Sequence, residues 1–163
     1  MQAEAASERS ATMSHSFGIS GLREELLRQL VVLGEDKRFF LDALFRMHDA
    51  KRMQASAFLD TYVQFIKEKL TLKDEQLRQY VWIGCTVECD EADSKTSDAF
   101  TIAFPHETDP GLNRISFLSP VGNQLLMASV GETRSIATPS GPMRVRITGV
   151  SWKADSFPQQ AGM

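Results

Sequence analysis

The chain has 163 residues, 42% of them hydrophobic, with 18 Lys and Arg against 21 Asp and Glu. That length allows one domain or two small ones with a real core. A formal charge of −3 excludes a protein that grips nucleic acid with its whole surface, because phosphate binding needs a concentrated positive face. There is no apolar run of membrane-spanning length and no signal-peptide core near the start, so a cytoplasmic protein without a membrane partner is expected.

Residues 1–18 are expected to be a disordered leader: through Ser16 they are rich in Ala, Ser, Glu and Gln without an apolar period, and Met13 is an alternative start. Leu22, Leu26, Leu30 and Leu33 then recur at helical spacing, with Leu27 and Val31 beside them. Ser20 is the expected cap, with Arg23 where a capping box would have Glu. Gly34 interrupts the run, and the stripe resumes with Phe40, Leu44 and Met47, so one bent helix or two helices would fit. A second arm carries Leu59, Val63, Ile66, Leu70 and Leu77, with Lys73 on the same seam.

Residues 19–78 therefore predict a helical hairpin or a small bundle. Phe39, Phe40, Leu41, Phe45, Phe58, Tyr62 and Phe65 surround the seam and widen the apolar stripe beyond what a two-helix hairpin covers. Either the helices fold into a compact bundle or back onto the rest of the chain, or the extra face meets a partner or a second copy.

Tyr80-Val-Trp-Ile-Gly-Cys-Thr-Val-Glu-Cys89 predicts a first strand, with Ile83, Cys85, Val87 and Cys89 alternating toward the core. The two cysteines lie about 13 Å apart along such a strand, too far for a disulfide, and are expected to be reduced core thiols. Residues 90–98 form an acidic, Ser-rich loop before the strand Ala99-Phe-Thr-Ile-Ala-Phe104. Asp90, Glu91 and Asp93 lack the Gly and terminal Glu of a calcium loop, and His106 with Glu107 and Asp109 lacks a third strong ligand, so no metal site is expected. His48-Asp49 lacks a nucleophile in a recognisable setting.

Ile115-Ser-Phe-Leu118 alternates as a strand and meets Ser119-Pro120, two helix-start signals in succession. Gln124, Leu125 and Leu126 carry that helix on, Val130-Gly131 closes it, and Pro139-Ser-Gly-Pro142 turns the chain into a last strand from Met143 to Trp152. Residues 79–154 thus predict a small antiparallel or mixed sheet with one short helix, and residues 155–163 a flexible tail. The fold class is α+β.

The order Ile115-Ser116, Ser119-Pro120-Val121-Gly122, Leu125-Leu126, Val130-Gly131-Glu132 and Pro139-Ser140-Gly141 resembles the C-terminal domain of the bacterial Gre transcript-cleavage factors (GreA/GreB family) and their shorter, Rnk-like relatives. The resemblance covers residues 80–152 and implies an FKBP-like fold. It also implies a factor that binds RNA polymerase at the rim of the secondary channel and modulates elongation or initiation, with no cofactor and no direct sequence-specific DNA binding. Carried over by position, the contact residues are Phe117, Leu118, Ser119, Pro120 and Gly122.

In that family the tip of a helical hairpin carries acids spaced Asp-x-x-Glu that help hold a magnesium ion in the polymerase, a task for hard oxygen ligands. On that tip Asp49 matches the first acid, but Arg52 stands where the second belongs. A non-enzymatic regulator without strong cleavage stimulation is therefore expected. The alternatives are a cleavage factor using Asp49, an FKBP-like prolyl isomerase, and a module whose helices bind another protein or self-associate.

Overall fold

The computed structural model describes residues 17–152, so the expected leader and tail lie outside the described residues. Helix α1 spans Phe17–Leu30, which places Ser20 inside the helix rather than at its cap. A π-helical turn over Val31–Glu35 follows, and the chain bends at Asp36 into α2, Lys37–Leu44. The wide turn shifts the apolar stripe: Leu33 and Leu41 are buried, whereas Leu44 and Met47, which the uninterrupted period places inside, are exposed.

Helix α3 spans Ala50–Lys69 and buries Ala55, Leu59, Tyr62 and Ile66, so that Tyr62 rather than Val63 takes the seam position. The short α4, Asp74–Leu77, seats Leu77 in the core. Arg23 ties the ends of these helices together. It pairs with Asp74 at 2.7 Å and donates to the carbonyls of Leu70 and Leu72 at 2.8 and 2.7 Å. Those carbonyls lie where the helical ladder has run out and need an outside donor.

The strands are β1 (Cys85–Glu91), β2 (Ser97–Ala103), β3 (Arg114–Ser116), β4 (Thr133–Thr138) and β5 (Gly141–Trp152). They form one mixed sheet in the order β3-β2-β1-β5-β4, in which only β2 and β3 run parallel. This is the expected sequence of helices followed by a mixed sheet with one short helix, α5, Pro120–Leu125.

Three boundaries differ from expectation. Strand β1 begins at Cys85, not Tyr80, because Gly84 takes a positive φ of 104° and Val81, Trp82 and Ile83 are buried in succession instead of alternating. The acidic loop is shorter than predicted, since Asp90 and Asp98 already belong to paired strands. Beyond the bulge opposite Glu88 and Cys89, Cys85, Val87 and Cys89 still all face inward. Both thiols are free, and burial, with Asp98 and Asp90 nearby, pushes the Cys89 thiol up.

One continuous core joins helices and sheet. Phe40 and Phe58 stack on Phe117 at 6.1 and 6.4 Å between ring centres, and Tyr62 and Phe65 lie on Trp82 at 6.3 and 5.3 Å. Of the two arrangements open from sequence, the helices therefore adopt the compact one, folded against the sheet. Fully burying each such side chain is worth about 1.5–3 kcal/mol, which an extended hairpin would forgo for the aromatics outside its seam.

Candidate functional site: the Ser119-Pro120 turn and the loop before α3

Strand β3 stops at Ser116 because the backbone is captured locally. Phe117 N–H still donates to the Ala103 carbonyl at 2.9 Å, but Leu118 N–H turns back to Ser116 Oγ at 3.0 Å. Both Ser119 N–H and Ser119 Oγ–H donate to the Ser116 carbonyl, at 3.0 and 2.7 Å. The same hydroxyl oxygen accepts from Gly122 N–H at 3.1 Å, the capping bond expected of Ser119, and Pro120 fills the first helical position.

Gly122 is required by this geometry. A Cβ on it would stand 2.0 Å from the Ser116 carbonyl oxygen and 2.9 Å from Ser119 Oγ. Only a residue without a side chain lets the helix sit on the end of β3.

Helix α5 also ends earlier than the sequence suggests. Met127 adopts φ 73°, and the backbone there pairs with Val81: Met127 N–H donates to the Val81 carbonyl and Val81 N–H to Ala128, at 2.9 and 2.8 Å. Arg134 closes the helix end by donating to the carbonyls of Gln124 and Leu126 at 2.7 and 3.1 Å. Glu132 holds Arg134 at 2.7 Å and accepts from Ser129 N–H at 2.9 Å. Burial alone pushes the Glu132 carboxyl up, but the Arg134 guanidinium and the Ser129 donors outweigh it and draw the carboxyl below its ordinary range. The Val130-Gly131-Glu132 run thus positions a brace for the helix, with Gly131 at φ 94°.

Of the five residues grouped by sequence, Phe117 and Gly122 are buried, Leu118 and Ser119 are half-buried, and Pro120 is exposed. Phe117 is the aromatic on which the helices stack, so the outward part of the turn is Leu118, Ser119 and Pro120. The other large aromatics of this half, Trp82, Phe104 and Trp152, are buried in the core instead of lining an open cup of the kind an isomerase needs.

The loop at residues 45–49 is held by its own charges. Asp49 caps α3, accepting from Arg52 N–H at 3.1 Å. The Arg52 guanidinium pairs with Asp42 at 2.7 Å and donates to the Phe45 carbonyl at 3.2 Å, while Asp60 pairs with Lys37 at 2.6 Å. A carboxylate pair for magnesium does not fit here, because Arg52 brings a cation to the second position and Asp49 already serves the helix end. Elsewhere, Asp90 accepts from Ser97 Oγ at 2.7 Å within the β1–β2 hairpin, and the exposed His106 lies 3.7 Å from Glu107.

Sequence reasoning missed the polar clamp beneath the helices. Gln29 is fully buried and donates to the Ile83 carbonyl at 2.9 Å, while Tyr62 joins Gln29 to Ile83 N–H. A glutamine at a core position of α1 was the available signal, and it was hidden by treating the stripe as purely apolar.

A helical region laid on a mixed sheet, with a serine-capped Ser-Pro helix seated on a strand end and a Gly-Glu brace behind it, defines an α+β protein whose distinctive surface is a turn rather than a catalytic cleft. Residues 76–151 match the family model described as transcription elongation factor, GreA/GreB, C-terminal. Over 111 residues the chain is 33% identical to transcription elongation factor GreA of Desulfovibrio desulfuricans, spanning 65% of this chain and 68% of that protein. Over 86 residues it is 36% identical to GreA of Bacillus cereus, spanning 52% of this chain and 54% of that one. The chain belongs to the GreA/GreB family of transcription elongation factors. A solved GreA/GreB structure from Nitrosomonas europaea aligns over 72% of this chain and 91% of that one, with 23% identity and a TM-score of 0.49.

Proposed function

We propose that this protein is a cytoplasmic regulator that binds RNA polymerase, docking at the rim of the secondary channel through Leu118, Ser119 and Pro120 and modulating elongation or initiation. Phe117 and Gly122 shape that surface from beneath. It acts without catalytic residues of its own and without strong stimulation of transcript cleavage.

Chief support for docking is the rigidity of the turn. Hydrogen bonds from Ser119 and Leu118 to Ser116 fix an exposed Pro120 at the start of α5, and a pre-ordered surface loses little entropy on binding. Chief support for weak cleavage is the Asp42–Arg52 pair, which leaves a guanidinium where a second carboxylate would be needed.

The test is titration of the full-length protein against core RNA polymerase, with Pro120→Ala beside it. Binding that Pro120→Ala weakens is expected, and no binding by the wild type would sink the proposal. In a backtracked complex little RNA cleavage is expected; strong cleavage abolished by Asp49→Ala would establish a cleavage factor instead.

A further inference from the structure

We propose that the docking surface does not stop at the Ser-Pro turn but continues into the groove between α5 and α3, and that this groove takes an apolar side chain of the polymerase flanked by an acidic one. This rests on the polymerase docking proposed above and adds the chemistry of the segment that is bound.

The groove encloses about 420 Å³, with Phe45, Phe58 and Leu118 on its apolar walls and Lys51, Gln54 and Asn123 among its polar side chains. It is continuous with the turn, since Leu118 precedes Ser119 and Asn123 N–H donates to the Ser119 carbonyl at 2.9 Å. A ligand resting on Pro120 would meet the groove within one helical turn. The groove exists because the helices are folded down: Phe58 reaches it while stacking on Phe117, and both rings belong to the shared core.

Its charge selects the occupant. Among the described residues lining it, Lys51 alone is charged, in a chain whose formal charge is −3. Lys51 is exposed at the first turn of α3, and Gln54 and Asn123 offer amide donors on either side. An apolar pocket with a single cation beside it fits a hydrophobic anchor next to Asp or Glu, the cation steering the encounter and the anchor setting the residence time.

The experiment uses the full chain and core RNA polymerase, at low and high salt, with Lys51→Glu and Gln54→Trp. Both substituted side chains are exposed, so thermal melts matching the wild type are expected. Each variant should weaken binding about tenfold, and Lys51→Glu should also flatten its salt dependence. If Pro120→Ala weakens binding while both groove variants bind like the wild type, the groove proposal is overturned and the docking turn stands. If the wild type does not bind polymerase, both fall. If sedimentation shows that the groove variants dissolve a dimer with polymerase binding unchanged, the occupant is a second copy and the proposal is likewise overturned.

Discussion

The Tyr62 hydroxyl donates to Gln29 Oε1 at 2.6 Å and accepts from Ile83 N–H at 3.0 Å, so a single buried oxygen joins α1, α3 and the segment leading into the sheet. Gln29 completes the ring by donating to the Ile83 carbonyl at 2.9 Å. Burial holds the Tyr62 hydroxyl neutral by pushing its pKa well above the ordinary tyrosine value. Tyr62→Phe keeps the ring packing and leaves the Ile83 N–H and Gln29 Oε1 without this partner. The expected loss is about 2–3 kcal/mol of unfolding free energy, read from urea titration. Adding Gln29→Leu should cost less than the sum of the single changes, because the partners belong to one network. Strict additivity would show that the clamp is not coupled.

At Gly122 the added methyl of alanine meets a backbone carbonyl at 2.0 Å, whereas at Gly131 nothing stands within 4 Å and only the positive φ resists. Gly131→Ala should therefore cost about 1–2 kcal/mol. Gly122→Ala should cost more than about 3 kcal/mol, or prevent folding, since the helix must lift off β3. Equal melting temperatures for the two variants would contradict the tight seat of α5.

Glu132 makes stability depend on pH in a defined direction. Its carboxyl is more acidic folded than unfolded, so its contribution is fully present above the unfolded carboxylate value, near about 4.3, and is lost as pH falls through the lower folded value. Urea midpoints of wild type and Glu132→Gln, compared from neutral to acid pH, should differ most at neutrality and converge below that window. A gap that stays constant with pH would refute the role of the charged form.

Asp49 caps α3 through its Oδ1. Asp49→Ala should destabilise the protein by about 1 kcal/mol, while Asp49→Asn should be nearly neutral, because asparagine caps as well as aspartate. If Asp49→Asn instead removed a strong cleavage-stimulating activity with stability unchanged, the carboxylate would have a chemical role that capping does not describe.

Local chemistry was legible in the sequence wherever it acts between near neighbours. Ser119 and Pro120 specify a helix start because the cap bond spans three residues, and Pro139-Ser140-Gly141 specifies the hairpin because a glycine at φ 115° joins strands that pair directly. The alternation of Cys85, Val87 and Cys89 fixed the inward face of β1 by period alone. Tertiary structure decided what depends on distant partners. Helix α5 ends at Leu125 because Val81 takes the next backbone groups, and the apolar stripe of α2 turns after the π-helical step, which no residue count reveals. The helices lie on the sheet because Phe40 and Phe58 find Phe117, and Tyr62 finds Gln29 and Ile83, across separations that periodicity cannot see. The sequence alone thus determined the Ser-Pro turn, while only the folded chain placed α3 beside it and made a groove.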